Sequence, residues 1–144
     1  MKEINDIGFY IKKLSNHIEK LSHSLYSRKE TQECSLSNLW IINYLAENEG
    51  RDIYQKDIEA EFSINRATAS KMLSLMEEKK FISRTASVED GRLKKINLLF
   101  EGKKLKNICF FIKKELEKDL ASALTDEERE TLRRILKKML NNCE

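Results

Sequence analysis

The stretch TASVEDGRLKKINLL, residues 85–99, sets an acid and a base two positions apart, Asp90 and Arg92, with Lys94 and Lys95 close behind. A carboxylate so placed can hold the guanidinium extended through a charge-assisted hydrogen bond. An extended arginine on a projecting tip suits the negative potential of a narrow DNA minor groove. Lys94 and Lys95 point to opposite faces of a strand, so at most one of them faces phosphate in a single pose. A second set lies upstream in NRATASKMLSLMEEKK, residues 65–80. With Ala69, Leu73 and Met76 turned inward at helical spacing, the opposite face carries Ala67, Ser70, Lys71, Ser74 and Glu78, with Arg66 and Thr68 flanking its start. Small and hydroxyl side chains allow close approach, and Arg and Lys reach guanine edges or phosphates. The candidate DNA-binding residues are therefore Asn65, Arg66, Ala67, Thr68, Ser70, Lys71, Ser74, Asp90, Arg92, Lys94 and Lys95.

Charge is distributed to match. Between Ser63 and Lys106 stand eleven Lys/Arg against five acids, so that this segment is +6 in a chain of net charge +3. A basic middle between acidic ends is the footprint of a polyanion-binding module. In the 144 residues, 40% apolar and 35% charged side chains exclude a disordered chain and suit long amphipathic helices with one wet face. No apolar run approaches the length of a membrane span, so no membrane partner is expected. The opening MKEINDIGFYIKK has acids where an export signal needs an apolar block, and the expected compartment is the cytoplasm.

These residues need elements to position them. Ile4, Ile7, Ile11, Leu14, Ile18, Leu21 and Leu25 form an unbroken heptad stripe, which wants a helix along its whole length, either from the same chain or from a second copy. After a polar link, SRKETQE, the segment SLSNLWIINYLAENEG reads as a helix opened by Ser35 and closed before Gly50. A short extended piece and a short helix ending near Phe62 follow, then a tight connector and the helix capped by Asn65. FISRTASV and LKKINLL read as strands around Asp90-Gly91, a dipeptide favoured in two-residue hairpin turns. After Gly102 a long helix is expected. The last helix opens with Thr125 and Glu128 as a capping box. The fold class is mainly α with a small β-hairpin wing: a winged helix-turn-helix. One domain is expected over 1–144.

Other chemistries find less support. Two histidines, no Gly-rich phosphate loop and no nucleophile–base pair argue against an enzyme. Cys34 precedes a helix N-terminus that favours thiolate, although an inert loop thiol is the plainer reading. Cys109 lies on an apolar stripe and Cys143 in the tail. His17 and His23, six apart, cannot chelate one metal locally, so neither a metal nor a cofactor is expected. Trp40 and Tyr44 are the candidate lining of an effector pocket; aromatics at helical spacing more often build core.

The run DIEAEFSINRATASKMLSLMEEKKFISRTASVEDGRLKKINLLFEGKKL, Asp57 to Leu105, resembles the core of the multiple antibiotic resistance regulator (MarR) family of bacterial transcription regulators. EDGRLKKINL is its strongest element, and the helix order matches over nearly the whole chain. The resemblance implies a lobe over 35–100 that binds double-stranded DNA, with helices in 1–28 and 101–144 joining two copies into a homodimer on a pseudo-palindromic operator. It implies that Asp90 supports Arg92 and that Arg92 enters the minor groove. It further implies a repressor released by a small-molecule effector. Three positions depart from the family pattern: Ser63 and Lys80 where Gly is usual, and Leu99 where a capping Thr is usual. The alternatives are a winged-helix module that binds protein, and a redox- or metal-sensing regulator using Cys34 or the histidines.

Overall fold

The structure, a computed structural model, describes residues 1–27 and 35–144. Cys34 and most of the SRKETQE link lie outside the described residues. The elements are α1 (Ile7–Ser27), α2 (Leu36–Glu47), α3 (Gln55–Phe62), α4 (Arg66–Glu78), β1 (Ile82–Ala86), β2 (Lys94–Leu98), α5 (Phe100–Lys104), α6 (Lys106–Ala121) and α7 (Asp126–Cys143). By its contacts the chain divides into two compact units, Met1–Ile112 and Lys113–Glu144.

In the first unit the core is built from one face of each element. Leu39, Ile41, Ile42 and Leu45 of α2, Ile58 of α3, and Ala69, Leu73 and Met76 of α4 are buried with Phe81, Ile82 and Ile96 of the hairpin. Each large side chain so buried contributes about 1.5–3 kcal/mol. Caps set where the helices start. Ser35 accepts from the Asn38 amide at 3.2 Å and opens α2; Asn65 Oδ1 accepts from the Thr68 amide at 2.8 Å and opens α4. Cys109 is buried and donates to the Leu39 carbonyl at 3.4 Å, fixing the start of α6 on α2.

Helices α3 and α4 end in the same way. Ser63 N–H donates to Ala60 and Ile64 N–H to Glu59; Lys80 N–H donates to Glu77 and Phe81 N–H to Met76. Both are Schellman closures, which need a left-handed residue at the pivot. Ser63 (φ 50°) and Lys80 (φ 62°) supply it, and among the described residues they are the non-glycine positions with positive φ. The two missing family glycines are thus tolerated as strained side-chain residues, and neither helix runs on. Leu99 precedes α5 without any side-chain cap, so the cap usual there is absent.

Three expectations are corrected. The hairpin does not turn on two residues. Ala86 pairs with Lys94, which leaves a seven-residue loop from Ser87 to Leu93, and Gly91 has no positive φ. Asp90 takes the first position of a turn closed by Leu93 N–H on its carbonyl. The long helix expected after Gly102 starts instead at Phe100 and breaks at Leu105, whose N–H reaches back to Gly102 at 3.1 Å. Gly102 is packed so closely on the hairpin base that a Cβ would meet the Phe81 carbonyl oxygen and lie 2.6 Å from Leu98 Cδ1. Finally, Ile4 precedes α1, which begins at Ile7.

The ends of the chain are less covered. Ile7, Ile11 and Leu14 of α1 are exposed, whereas Ile18, Leu21 and Leu25 are partly covered, and α1 meets α2. In the second unit the Thr125–Glu128 capping box forms as expected, with reciprocal bonds of 3.0 and 3.1 Å. Bonds to the Thr125 backbone and hydroxyl hold the Glu128 carboxyl below its ordinary range. Arg129 donates twice to the Ala121 carbonyl, satisfying the end of α6. Leu132, Ile135, Leu136 and Leu140 of α7 are exposed.

Candidate nucleic-acid interface

Helix α4 shows the solvent the face that its periodicity predicts. Ala69, Leu73 and Met76 are buried, while Arg66, Ala67, Thr68, Lys71 and Ser74 are exposed and Ser70 is half-covered. Asn65 Oδ1 is occupied as the acceptor of the capping bond, so the side chain orients the helix start. From α3, Gln55 donates to the Arg66 carbonyl at 3.4 Å, tying the start of α3 to the start of α4.

At the wing tip Asp90 Oδ1 accepts both the Arg92 amide at 3.0 Å and Arg92 Nε at 3.3 Å. This is an Asx-type turn with an ion pair added, and it explains why the acid stands two residues before the base. The Arg92 side chain is nevertheless 92% exposed, held at its root and open at its tip. Ser87 steadies the other limb by accepting from the amides of Glu89 and Asp90 at 3.3 and 3.5 Å.

Strand pleating separates the two lysines. Lys94 is exposed and its charge reaches Glu77 of α4. Lys95 lies on the opposite face, with its Nζ 2.7 Å from Asp52 Oδ1. Beside it Ile96 N–H donates to Ile53 at 2.8 Å, anchoring the hairpin base on the chain before α3. The hydrogen bond to Asp52, and then its charge, raise the Lys95 ammonium above its ordinary 10.5.

Arg84 is the residue that sequence reasoning missed. It faces Ile96 across the hairpin, in the inward phase of β1. Its guanidinium meets the Glu77 carboxylate at 3.3 Å and Ser74 Oγ at 3.3 Å, and its own amide donates to Glu77 at 3.0 Å. The side-chain bond from Arg84 is the main cause that holds the Glu77 carboxyl below its ordinary 4.5. A signal existed: a cation in the core-facing phase of a strand must find a carboxylate, and the preceding helix ends in two acids, Glu77 and Glu78.

The aromatic pair is less pocket-like. Trp40 and Tyr44 are half-buried, and the Tyr44 ring meets Phe62 edge-on at 5.8 Å between centroids. A shallow cleft of about 240 Å³ lies farther along α2, between Leu45, Arg51, Ile53, Ile96 and Lys103, and neither aromatic lines it. Among the described residues no group of three His, Cys, Asp or Glu is arranged to hold a metal, and no helix is long and apolar enough to cross a membrane.

Comparison with known proteins adds an independent line. The profile of the MarR family matches residues 35–93. The crystal structure of the transcription regulator MarR from Oenococcus oeni PSU-1 is 31% identical over 94% of this chain and 99% of that one, with a TM-score of 0.77. MepR of S. aureus in its DNA-binding conformation is 25% identical over 97% and 100% of the two chains, with a TM-score of 0.83. The S. aureus MepR–DNA complex is 27% identical over 98% and 100%, with a TM-score of 0.80. No curated protein sequence matches the chain significantly.

Proposed function

The chain belongs to the MarR family of transcription regulators, and from that premise we propose that it binds double-stranded DNA as a homodimer and represses transcription from a pseudo-palindromic operator. The observation that carries the reading is the pairing of two surfaces in one lobe. Helix α4 turns Arg66, Thr68, Lys71 and Ser74 outward, and the adjoining wing carries Arg92 extended on an Asp90 support. The first surface fits a major groove and the second a minor groove. Lys94 serves phosphate, whereas Lys95 is engaged with Asp52 and serves the wing base. A relative solved in complex with DNA, S. aureus MepR, supports the same assignment.

Residues 35–100 form the DNA-binding lobe in this proposal, and 1–28 and 101–144 supply the dimerisation helices of one domain. Support comes from each end taken separately. Ile7, Ile11 and Leu14 line one exposed stripe on α1, and Leu132, Ile135, Leu136 and Leu140 another on α7. Apolar stripes of that length are disfavoured in water and are expected to be covered by a second copy. A small-molecule effector releasing the DNA, with Trp40 and Tyr44 at its pocket, and action in the cytoplasm complete the proposal.

The test is fluorescence anisotropy of labelled duplexes, chosen by enrichment from a random library and titrated at several salt concentrations. Affinity should fall steeply with salt, as phosphate contacts require, and sedimentation should give a dimer. Failure to bind any duplex would favour a protein-binding winged helix.

A further inference from the structure

Glu77 sits on the C-terminal half of α4, yet its carboxylate is turned to the wing and not to solvent alone. It accepts the Arg84 amide at 3.0 Å, Arg84 Nε at 3.5 Å and Arg84 Nη2 at 3.3 Å. The main chain of β1 is therefore fixed as well as the side chain, and a planar guanidinium fork resists rotation better than an ammonium would. The Arg84 side chain is only 19% exposed, so solvent screens this contact less than a free surface pair. The same Nη2 also donates to Ser74 Oγ at 3.3 Å, and Ser74 lies on the exposed face of α4.

We infer that Arg84 and Glu77 are positioning residues for sequence recognition, locking α4 to the wing and turning the Ser74 hydroxyl into an outward-facing donor. A serine hydroxyl has one hydrogen and two lone pairs. With a lone pair taken by the guanidinium, the hydrogen is directed away from Arg84, to the side a duplex would occupy. There it pairs with acceptors in the major groove: guanine N7 and O6, adenine N7 or thymine O4. The Glu77 carboxylate in turn keeps the Arg84 charge from gripping any phosphate that passes. The lock also explains an otherwise awkward acid beside a surface built to meet phosphates.

The inference rests on the DNA-binding reading, and the sign of one mutation separates it from plain electrostatics. Glu77→Gln removes a negative charge from the interface, so charge alone predicts tighter binding to every duplex. Positioning predicts the reverse for a preferred one. Arg84→Lys keeps the charge and removes the fork. The measurement is the affinity for a duplex enriched from a random library by the wild-type protein, divided by that for a mixed-sequence duplex of equal length. Both variants should lose about tenfold in this ratio, the scale of one mismatched base pair. A ratio kept within about twofold in both would overturn the positioning role while leaving DNA binding intact. Should either variant fail to fold, Ser74→Ala carries the test. It should relax preference at one base pair in each half-site, and an unchanged preference would overturn the inference. If the wild-type protein enriches no duplex, the DNA-binding reading itself falls, and this inference with it.

Discussion

Lys95 and Asp52 are joined at the base of the wing, Nζ to Oδ1 at 2.7 Å, whereas the sequence neighbour Lys94 is exposed on the other face of the strand, where its charge reaches Glu77. One step along a pleated strand has divided two identical side chains between two tasks. Lys94→Ala should lower DNA affinity and reduce the salt slope by about one. Lys95→Ala should leave the slope unchanged. Anisotropy over a salt series checks both, and equal slopes lost by the two variants would contradict the division.

Arg92 is held at its root by Asp90 and open at its tip. Arg92→Ala should weaken binding to an enriched duplex by about tenfold, the low end of what one lost specific contact costs, and leave the proposed dimer intact in sedimentation. Asp90→Asn should have a smaller effect in the same direction, because the Asx-turn acceptor survives and only the charge is lost. Unchanged affinity for Arg92→Ala would remove the wing from the interface.

Glu77 gives a pH signature. Its folded pKa lies below the ordinary 4.5, chiefly through the Arg84 side-chain bond. A depressed carboxylate contributes stability that is present above its unfolded pKa and is lost as pH falls through the folded value. Wild-type protein should therefore melt at higher temperature than Glu77→Gln at pH 7. The two curves should converge as pH is taken below 4.5. A gap that does not shrink as pH falls below 4.5 would assign the difference to packing and not to charge.

Two backbone positions predict opposite effects of a single small change. Lys80 occupies the left-handed pivot after α4 with φ 62°, so Lys80→Gly relieves strain and should raise stability by about 1 kcal/mol or less, the residual after glycine's entropy is counted. Gly102 has no room for a methyl group against Phe81 and Leu98, so Gly102→Ala should cost about 1–3 kcal/mol. Urea denaturation midpoints measure both. A stabilised Gly102→Ala would mean that α5 can move off the hairpin without loss.

Ile11 and Leu14 remain exposed on α1. Replacing both with Glu should abolish the proposed dimer in sedimentation while leaving the helical circular dichroism largely intact. A variant that stays dimeric would exclude this stripe from the interface.

Local chemistry alone was enough for much of the architecture. Ser35, Asn65 and the Thr125–Glu128 pair announce their helices because capping bonds reach only two or three residues along the chain. The inward trio Ala69, Leu73 and Met76 was legible because helical period dictates which side chains share a face. The Asp90 support of Arg92 could be read for the same reason, since its partners are two residues apart. What tertiary structure decided are the relations between distant segments. Lys95 met Asp52, Arg84 met Glu77 and Ser74, and Gly102 met Phe81 only once the hairpin was laid on the helices. Turn length belongs there too: Asp90-Gly91 suggested a tight reversal, but strand register closed the loop at Ala86 and Lys94. Register is set by which residues the core buries, and burial depends on neighbours that sequence spacing does not name.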